Sequence, residues 1–267
     1  MTILPPPLAQ PVFSRATKAA PAELRSSNAV HLWLLNLEQF TRAHLAEAER
    51  IMSDHERERV QKTLRGKESY IASRWLVRKV LAQYTGAAPD QIAFARSAKG
   101  KPYLPDSDIH FSLSHSGIWA LLAVTTIGPI GVDIESIKVG RNLSAIAKHY
   151  YHQQELAHLE SLTNEHRGEY FYRLWTLKEA FFKALGTGIS AGLDKIRFEF
   201  NSTGAGSYGI DAHMADELNN QTPHWHFGQW ALNGPADSPQ SYCAFACNAL
   251  LSADIKWFDA LAEPAFP

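Results

Sequence analysis

The sequence predicts an α/β (α+β) protein built as a pseudo-twofold pair of similar subdomains, with the active site in the cleft between them. Three observations predict it. Apolar runs that suit buried strands, such as 29–37 and 119–126, alternate with stretches whose apolar residues recur every three or four positions, as in a helix. The segment Arg74-Trp75-Leu76-Val77-Arg78-Lys79 is echoed by Leu174-Trp175-Thr176-Leu177-Lys178-Glu179, and a duplicated unit with a site in the crevice accounts for the echo. Gly128-Pro129 separates the two, giving an N-terminal α/β half over 28–127 and a C-terminal α/β half over 128–267.

Composition narrows the classes. A chain of 267 residues, 45% of them hydrophobic, can fill a sizeable core. A formal net charge of -1 gives no global attraction to nucleic acid or to acidic membranes, so any anion site must be local. Cys243 and Cys247 lie four apart in a strand-like run. That is roughly 13 Å along a strand, too far for a disulfide, so free thiols in a reducing compartment are expected. The first residues lack the basic start and apolar core of a secretory signal, and no stretch is long enough to cross a bilayer. The expectation is a cytoplasmic monomer with a flexible Pro/Ala-rich leader over 1–27, and neither nucleic acid nor membrane as partner.

In chain order, a buried strand is predicted over 29–37 and helices over roughly 40–50, 54–65 and 69–84. Basic residues crowd these helices, most of them a solvated face balanced by Asp54, Glu56 and Glu58. A short strand over 92–96 leads into Gly100-Lys101-Pro102-Tyr103-Leu104-Pro105, a stiff turn in which proline restricts its own φ and the residue before it. A lysine held this way has little freedom to lose on meeting an anion. The strand over 109–117 ends in Ser114-His115-Ser116-Gly117, where hydroxyls, an imidazole and backbone N–H groups can converge on phosphate oxygens.

After the strand over 119–126 comes Ile130-Gly131-Val132-Asp133-Ile134-Glu135. Alternation sends Asp133 and Glu135 to one face, roughly 7 Å apart, where two carboxylates can share a hard cation. Gly131 at the start of the strand permits close backbone approach. A polar helical region over 143–169 includes Glu155, either a further acid for the metal or a residue favoured at a helix start.

The chain's central stretch follows, from Trp175 to Ile189. Leu174, Leu177, Phe181 and Leu185 form one apolar stripe of a helix that stops at Gly186. Glu179 and Lys183 are four apart on that rod, the spacing of an ordinary surface ion pair. Short strands are expected over 196–200, 224–232, 241–250 and 255–258. His224 and His226 share a strand face there without a third metal ligand nearby in sequence.

Together these clusters suit a polyphosphate or pyrophosphate substrate and Mg²⁺ or Mn²⁺, since Mg²⁺ takes one or two carboxylates and completes its shell with water and phosphate. Asp133, Glu135 and Glu179 are therefore enough, with one to spare as a base.

Four motifs carry a resemblance: Gly100-Lys101-Pro102 with Pro105; Phe111-Ser112-Leu113-Ser114-His115-Ser116; Gly131-Val132-Asp133-Ile134-Glu135; and Trp175-Thr176-Leu177-Lys178-Glu179-Ala180 with Lys183 and Gly186-Thr187-Gly188-Ile189. In this order and spacing, over about 29–250, the chain resembles the 4'-phosphopantetheinyl transferases of the surfactin-synthetase-activating (Sfp-like) type. The resemblance implies transfer of phosphopantetheine from coenzyme A to a serine of an apo acyl or peptidyl carrier protein, releasing 3',5'-ADP. It implies metal ligands Asp133, Glu135 and Glu179, with Asp133, Glu179 and Lys183 catalytic. It implies coenzyme A contacts from Lys101, Pro102, Ser114, His115, Lys178 and Lys183. The basic contact to the 3'-phosphate does not align cleanly; Arg57 is the choice, with Arg59 and Lys62 next. It also implies carrier docking near 185–193. The alternatives are a metal-dependent nucleotide pyrophosphate hydrolase and a non-catalytic module that binds carrier protein or coenzyme A.

Overall fold

A computed structural model describes residues 8–14, 20–188, 192–204, 207–219, 224–235, 239–250 and 253–262. The chain divides into two compact units at Gly128-Pro129, one of Val12–Gly128 with Leu251–Pro267 and one of Pro129–Leu250 with Met1–Pro11. The chain ends are thus exchanged relative to the expected halves.

The N-terminal unit runs β1 (Phe13–Ser14), α1 (Ala20–Ser26), β2 (Ala29–Asn36), α2 (Arg42–Ile51), α3 (Asp54–Lys62), α4 (Lys67–Thr85), β3 (Ala95–Arg96), β4 (Pro102–Tyr103), β5 (His110–Ser116) and β6 (Trp119–Thr125). The chain's last described strand, β12 (Asp254–Asp259), returns to this unit. Among the described residues these strands form a sheet in the order β1-β12-β2-β6-β5, with β12 parallel to both its neighbours and the remaining pairs antiparallel. Strand β2 is central because its apolar run, interrupted only by His31, suits a strand covered on both faces, and Ala29 to Leu35 are all buried. Trp33, Leu35, Leu76, Val80, Leu122 and Phe258 belong to one core.

The leader departs from expectation where it is described. Phe13–Ser14 is a strand on β12, and α1 buries Leu24, whose carbonyl accepts from Thr126 Oγ1 at 3.1 Å. A two-residue strand shows no period, and Pro21 reads as a breaker although proline is tolerated in a helix's first turn. Residues 1–7 and 15–19 lie outside the described residues. The strand expected over 92–96 shrinks to Ala95–Arg96 because Pro89–Gln91 forms a 3₁₀ turn ahead of it.

The C-terminal unit runs β7 (Ile130–Ser136), α5 (Leu143–Tyr150), α6 (Gln153–Ser161), α7 (Asn164–Leu185), β8 (Ile196–Gly204), β9 (Ser207–Met214), α8 (Asp216–Asn219), β10 (Trp225–Leu232) and β11 (Ser241–Asn248). Among the described residues, β10, β11 and β7 make an antiparallel sheet in that order, and α7 packs on β7 and β11. Helix α7 is buried nearly all round from Tyr170 to Ala184, which is the mark of a central helix rather than a surface one. It stops at Gly186, whose φ of 71° is the left-handed cap conformation and whose N–H donates to Phe182 O at 2.9 Å. Each unit therefore repeats one plan: a sheet carrying a long helix, with the echoed tryptophans Trp75 and Trp175 on α4 and α7.

Candidate active site

Strand β7 and helix α7 bring the acids together. An ideal Cβ on Gly131 would lie 2.0 Å from Ala180 O and 2.4 Å from Ala184 N, so the helix backbone rests on the strand at the one residue without a side chain. Because strand residues alternate, Asp133 and Glu135 share the face of Gly131 that meets α7. Glu179 and Lys183 immediately precede Ala180 and Ala184 on the helix. A close approach at glycine thus sets both helical charges beside the strand acids.

Lys183 Nζ reaches across to Asp133 Oδ1 at 2.7 Å, and Lys138 Nζ lies 3.5 Å from Glu135 Oε2. Glu179 feels the whole cluster. Burial pushes its carboxyl up to about 7, the charges of Asp133 and Glu135 push the same way, and Lys183 opposes them. Asp133 is 4% exposed, and the outer end of the cluster, Glu135 and Glu179, is half-buried.

All the donors are hard carboxylate oxygens on one buried-to-open face, a set that suits a hard divalent cation. They are not closed to ligand distances: among the described residues, no three His, Cys, Asp or Glu side chains stand in a coordinating arrangement. The cation in place on Asp133 is the Lys183 ammonium. The donor chemistry fits Mg²⁺, and the spacing leaves Lys183 as the present counter-charge.

Lys178 is placed differently from the expected pyrophosphate contact. It is 0% exposed, pairs with Glu155 Oε2 at 2.7 Å, and donates to Leu193 O at 2.8 Å and to Ile196 O. Burial pulls its pKa down while Glu155 opposes. The signal was in the sequence: counted from Leu174, position 178 falls at i+4, inside the apolar stripe. Glu155 is equally buried and committed, which removes it as an acid for the metal.

In the N-terminal unit, Lys101 follows Gly100, whose φ is 87°, and the turn is tied by Lys101 N–H to Ser97 Oγ at 3.1 Å and Ser97 N–H to Lys101 O at 2.9 Å. Pro102 opens β4. Burial, then the charge of Lys101, holds the pKa of His110 at the start of β5 below its ordinary value. Ser114 and Ser116 are buried while His115 is exposed, because successive strand residues face opposite ways. The hydroxyls and the imidazole are therefore not on one face, contrary to the expected convergence.

Arg57 is occupied: it lies 3.1 Å from Asp54 Oδ1 and donates to Glu49 O at 2.7 Å. Arg74, one of the basic residues crowding the helices of this unit, joins Arg59 here. Arg59 and Arg74 lie over the same ring, Tyr70, at 5.4 and 5.3 Å. Among the described residues neither guanidinium has a carboxylate within salt-bridge distance. Tyr70 and Arg74 are four apart on α4, the spacing that could have revealed them. In the C-terminal unit His226 Nε2 lies 3.0 Å from Ala249 O, leaving no sign of a histidine metal pair among the described residues.

Comparison with known proteins agrees with the motifs. Residues 129–247 match the family described as the 4'-phosphopantetheinyl transferase superfamily, and residues 39–127 match that described as 4'-phosphopantetheinyl transferase, N-terminal. The 4'-phosphopantetheinyl transferase HetI of Nostoc sp. strain PCC 7120 is 34% identical over 183 residues, covering 66% of this chain and 76% of the relative. A 4'-phosphopantetheinyl transferase of Bacillus subtilis is 37% identical over 144 residues, covering 54% of this chain and 59% of the relative. The Sfp protein of Bacillus subtilis strain 168, a 4'-phosphopantetheinyl transferase, is 36% identical over 141 residues, covering 52% and 61%. The matches span between about three fifths and three quarters of these relatives' lengths. With the motifs in order and both halves matched, the chain belongs to the 4'-phosphopantetheinyl transferase superfamily.

Proposed function

We propose that this protein transfers the 4'-phosphopantetheine arm of coenzyme A to a serine of an apo carrier protein, with a divalent cation, Mg²⁺ by preference, held by Asp133, Glu135 and Glu179. The single observation that carries this reading is the close approach of α7 to β7 at Gly131, which sets Glu179 and Lys183 beside the strand acids and puts the Lys183 ammonium 2.7 Å from Asp133 Oδ1. Bound there, Mg²⁺ would neutralise pyrophosphate charge and orient it for in-line displacement.

The serine oxygen forms a bond to the β-phosphorus of coenzyme A, and the bond from that phosphorus to the bridging oxygen breaks. The electron pair leaves on 3',5'-ADP, and the serine proton passes to Glu179, directly or through water. Glu179, set beside Asp133 by the Gly131 contact, is placed to take that proton as the bond forms. Lys183, already beside Asp133, supplies positive charge where the leaving phosphate becomes more negative. Lys101, Pro102 and His115 are the coenzyme A contacts of this reading; Ser114, buried on the opposite face of β5 from His115, is not one of them. Arg59, with Arg74, replaces Arg57 as the contact for the 3'-phosphate, because Arg57 is held by Asp54 and by a backbone carbonyl. Lys178 is withdrawn from the coenzyme A contacts. Carrier docking near 185–193 falls partly on 189–191, outside the described residues. The buried free thiols suit work in the cytoplasm.

The test is incubation with apo carrier protein, coenzyme A and Mg²⁺, followed by mass spectrometry. One phosphopantetheine arm on a carrier serine is the expected result. Pyrophosphate cleavage without carrier modification would support the hydrolase instead, and binding without turnover would support a non-catalytic module.

A further inference from the structure

Lys178 and Glu179 are adjacent in sequence, yet about 100° apart around a helix of 3.6 residues per turn. Glu179 joins the acid cluster, and Lys178 enters the core. An ammonium has three N–H donors, and here Glu155 Oε2, Leu193 O and Ile196 O take them. The same carboxylate accepts His152 N–H at 3.0 Å, closing the N-terminal cap of α6, and Phe198 N–H at 2.9 Å from β8. One buried pair therefore ties α6, the middle of α7, the Leu193 turn and β8 to each other.

The N-terminal unit contains the same device. Arg78 on α4, buried at 2% exposure, donates to Glu56 Oε2 at 2.8 Å and to the carbonyls of Pro89 and Ile92 at 2.8 and 3.2 Å. Glu56 in turn accepts Ser53 N–H at 2.9 Å, closing the cap of α3. Trp75 precedes Arg78 by the interval at which Trp175 precedes Lys178. The next residue there is Lys79, bound to Glu47 at 2.8 Å, where the C-terminal unit has Glu179. The hub thus recurs where no acid follows it, so its task is to set a long helix, not to receive a ligand.

We propose that Glu155 and Lys178 are positioning residues for the transfer reaction. With Gly131 holding α7 on one side and the hub gripping another, the helix cannot roll, and Glu179 and Lys183 stay over Asp133 without either hub residue touching substrate. This rests on the transferase reading given above.

The test uses the full-length protein with apo carrier protein, coenzyme A and Mg²⁺, comparing Glu155→Gln, Lys178→Met and the double variant. Each single variant is expected to lower kcat at least about tenfold while KM for coenzyme A stays within about twofold. The double variant should be no worse than the worse single one, because removing both charges leaves no uncompensated buried ion. A lowered melting temperature with unchanged kcat would overturn the proposal. So would a raised KM for coenzyme A in Lys178→Met with Glu155→Gln unaffected, which would make Lys178 a substrate contact. Should Lys178→Met fail to fold, Glu155→Gln decides alone on the same readouts, since glutamine keeps the backbone hydrogen bond from Phe198. A wild-type protein without turnover would refute the transferase reading instead. The hub is then judged by Mg²⁺ affinity, which Glu155→Gln weakens about tenfold if the hub positions the acids and leaves unchanged if it does not.

Discussion

Gly131→Ala is a small substitution with a large expected effect. The new methyl carbon would stand 2.0 Å from Ala180 O and 2.4 Å from Ala184 N. Both are backbone atoms of a buried helix, so no side chain can swing aside. Ordinary contact begins near 3.5 Å, and α7 would have to retreat by about 1.5 Å. Overpacking usually costs about 1–3 kcal/mol, and a rigid backbone neighbour places this site at about 3 kcal/mol or more. The same retreat carries Glu179 and Lys183 away from Asp133. A misplacement of about 1 Å at reacting groups costs on the order of a hundredfold in rate. Urea unfolding measures the first effect, and carrier modification at a temperature where the variant is folded measures the second. A variant within about 0.5 kcal/mol of the parent, with unchanged turnover, would refute the close approach as the element that places the site.

Other consequences follow from the same geometry. Because Glu179 is raised to about 7, the folded protein binds its proton more tightly than the unfolded chain does between the ordinary value of 4.5 and about 7. Metal-free stability should therefore fall as pH rises through that window, and Glu179→Gln should remove this contribution; an identical urea profile in the variant would contradict it. His31 behaves oppositely: burial, then the charge of Lys256, lowers it to about 4, so the unfolded state holds more protons below 6.5. Stability should drop as pH falls from 6.5 towards 4, with a shallower drop in His31→Gln, as read from acid titration of the urea midpoint. Arg59→Ala should raise KM for coenzyme A at least about tenfold and Arg57→Ala less than about threefold, and the reverse order would return the phosphate contact to Arg57.

The elements with a strong period were legible in the sequence. Strand β2, the core of α7 and its stop at Gly186 follow from apolar spacing and a left-handed cap that only glycine adopts easily. The acid face of β7 follows from alternation, and its meeting with α7 was signalled by Gly131 even though the length of the approach was not. Lys178 was misread because a motif drew it towards a phosphate, while the helix period already placed it inside. Glu155 left its role open in sequence because a capping carboxylate and a metal carboxylate look alike until the buried partner is known. Strand β9, with glycine and polar residues through Ser207–Met214, lacks the alternation that would announce it; its place comes from pairing with β8. The exchange of chain ends between units depends on pairings distant in sequence, Phe13 with Trp257 among them, which no local pattern encodes.

The most direct test of the account is calorimetric titration of Mg²⁺ into the protein with coenzyme A present, comparing the parent with Asp133→Asn and Glu179→Gln. A single Mg²⁺ per chain, weakened at least about tenfold in each variant, is the predicted result. Equal Mg²⁺ affinity in all three proteins would mean that these carboxylates do not share a cation.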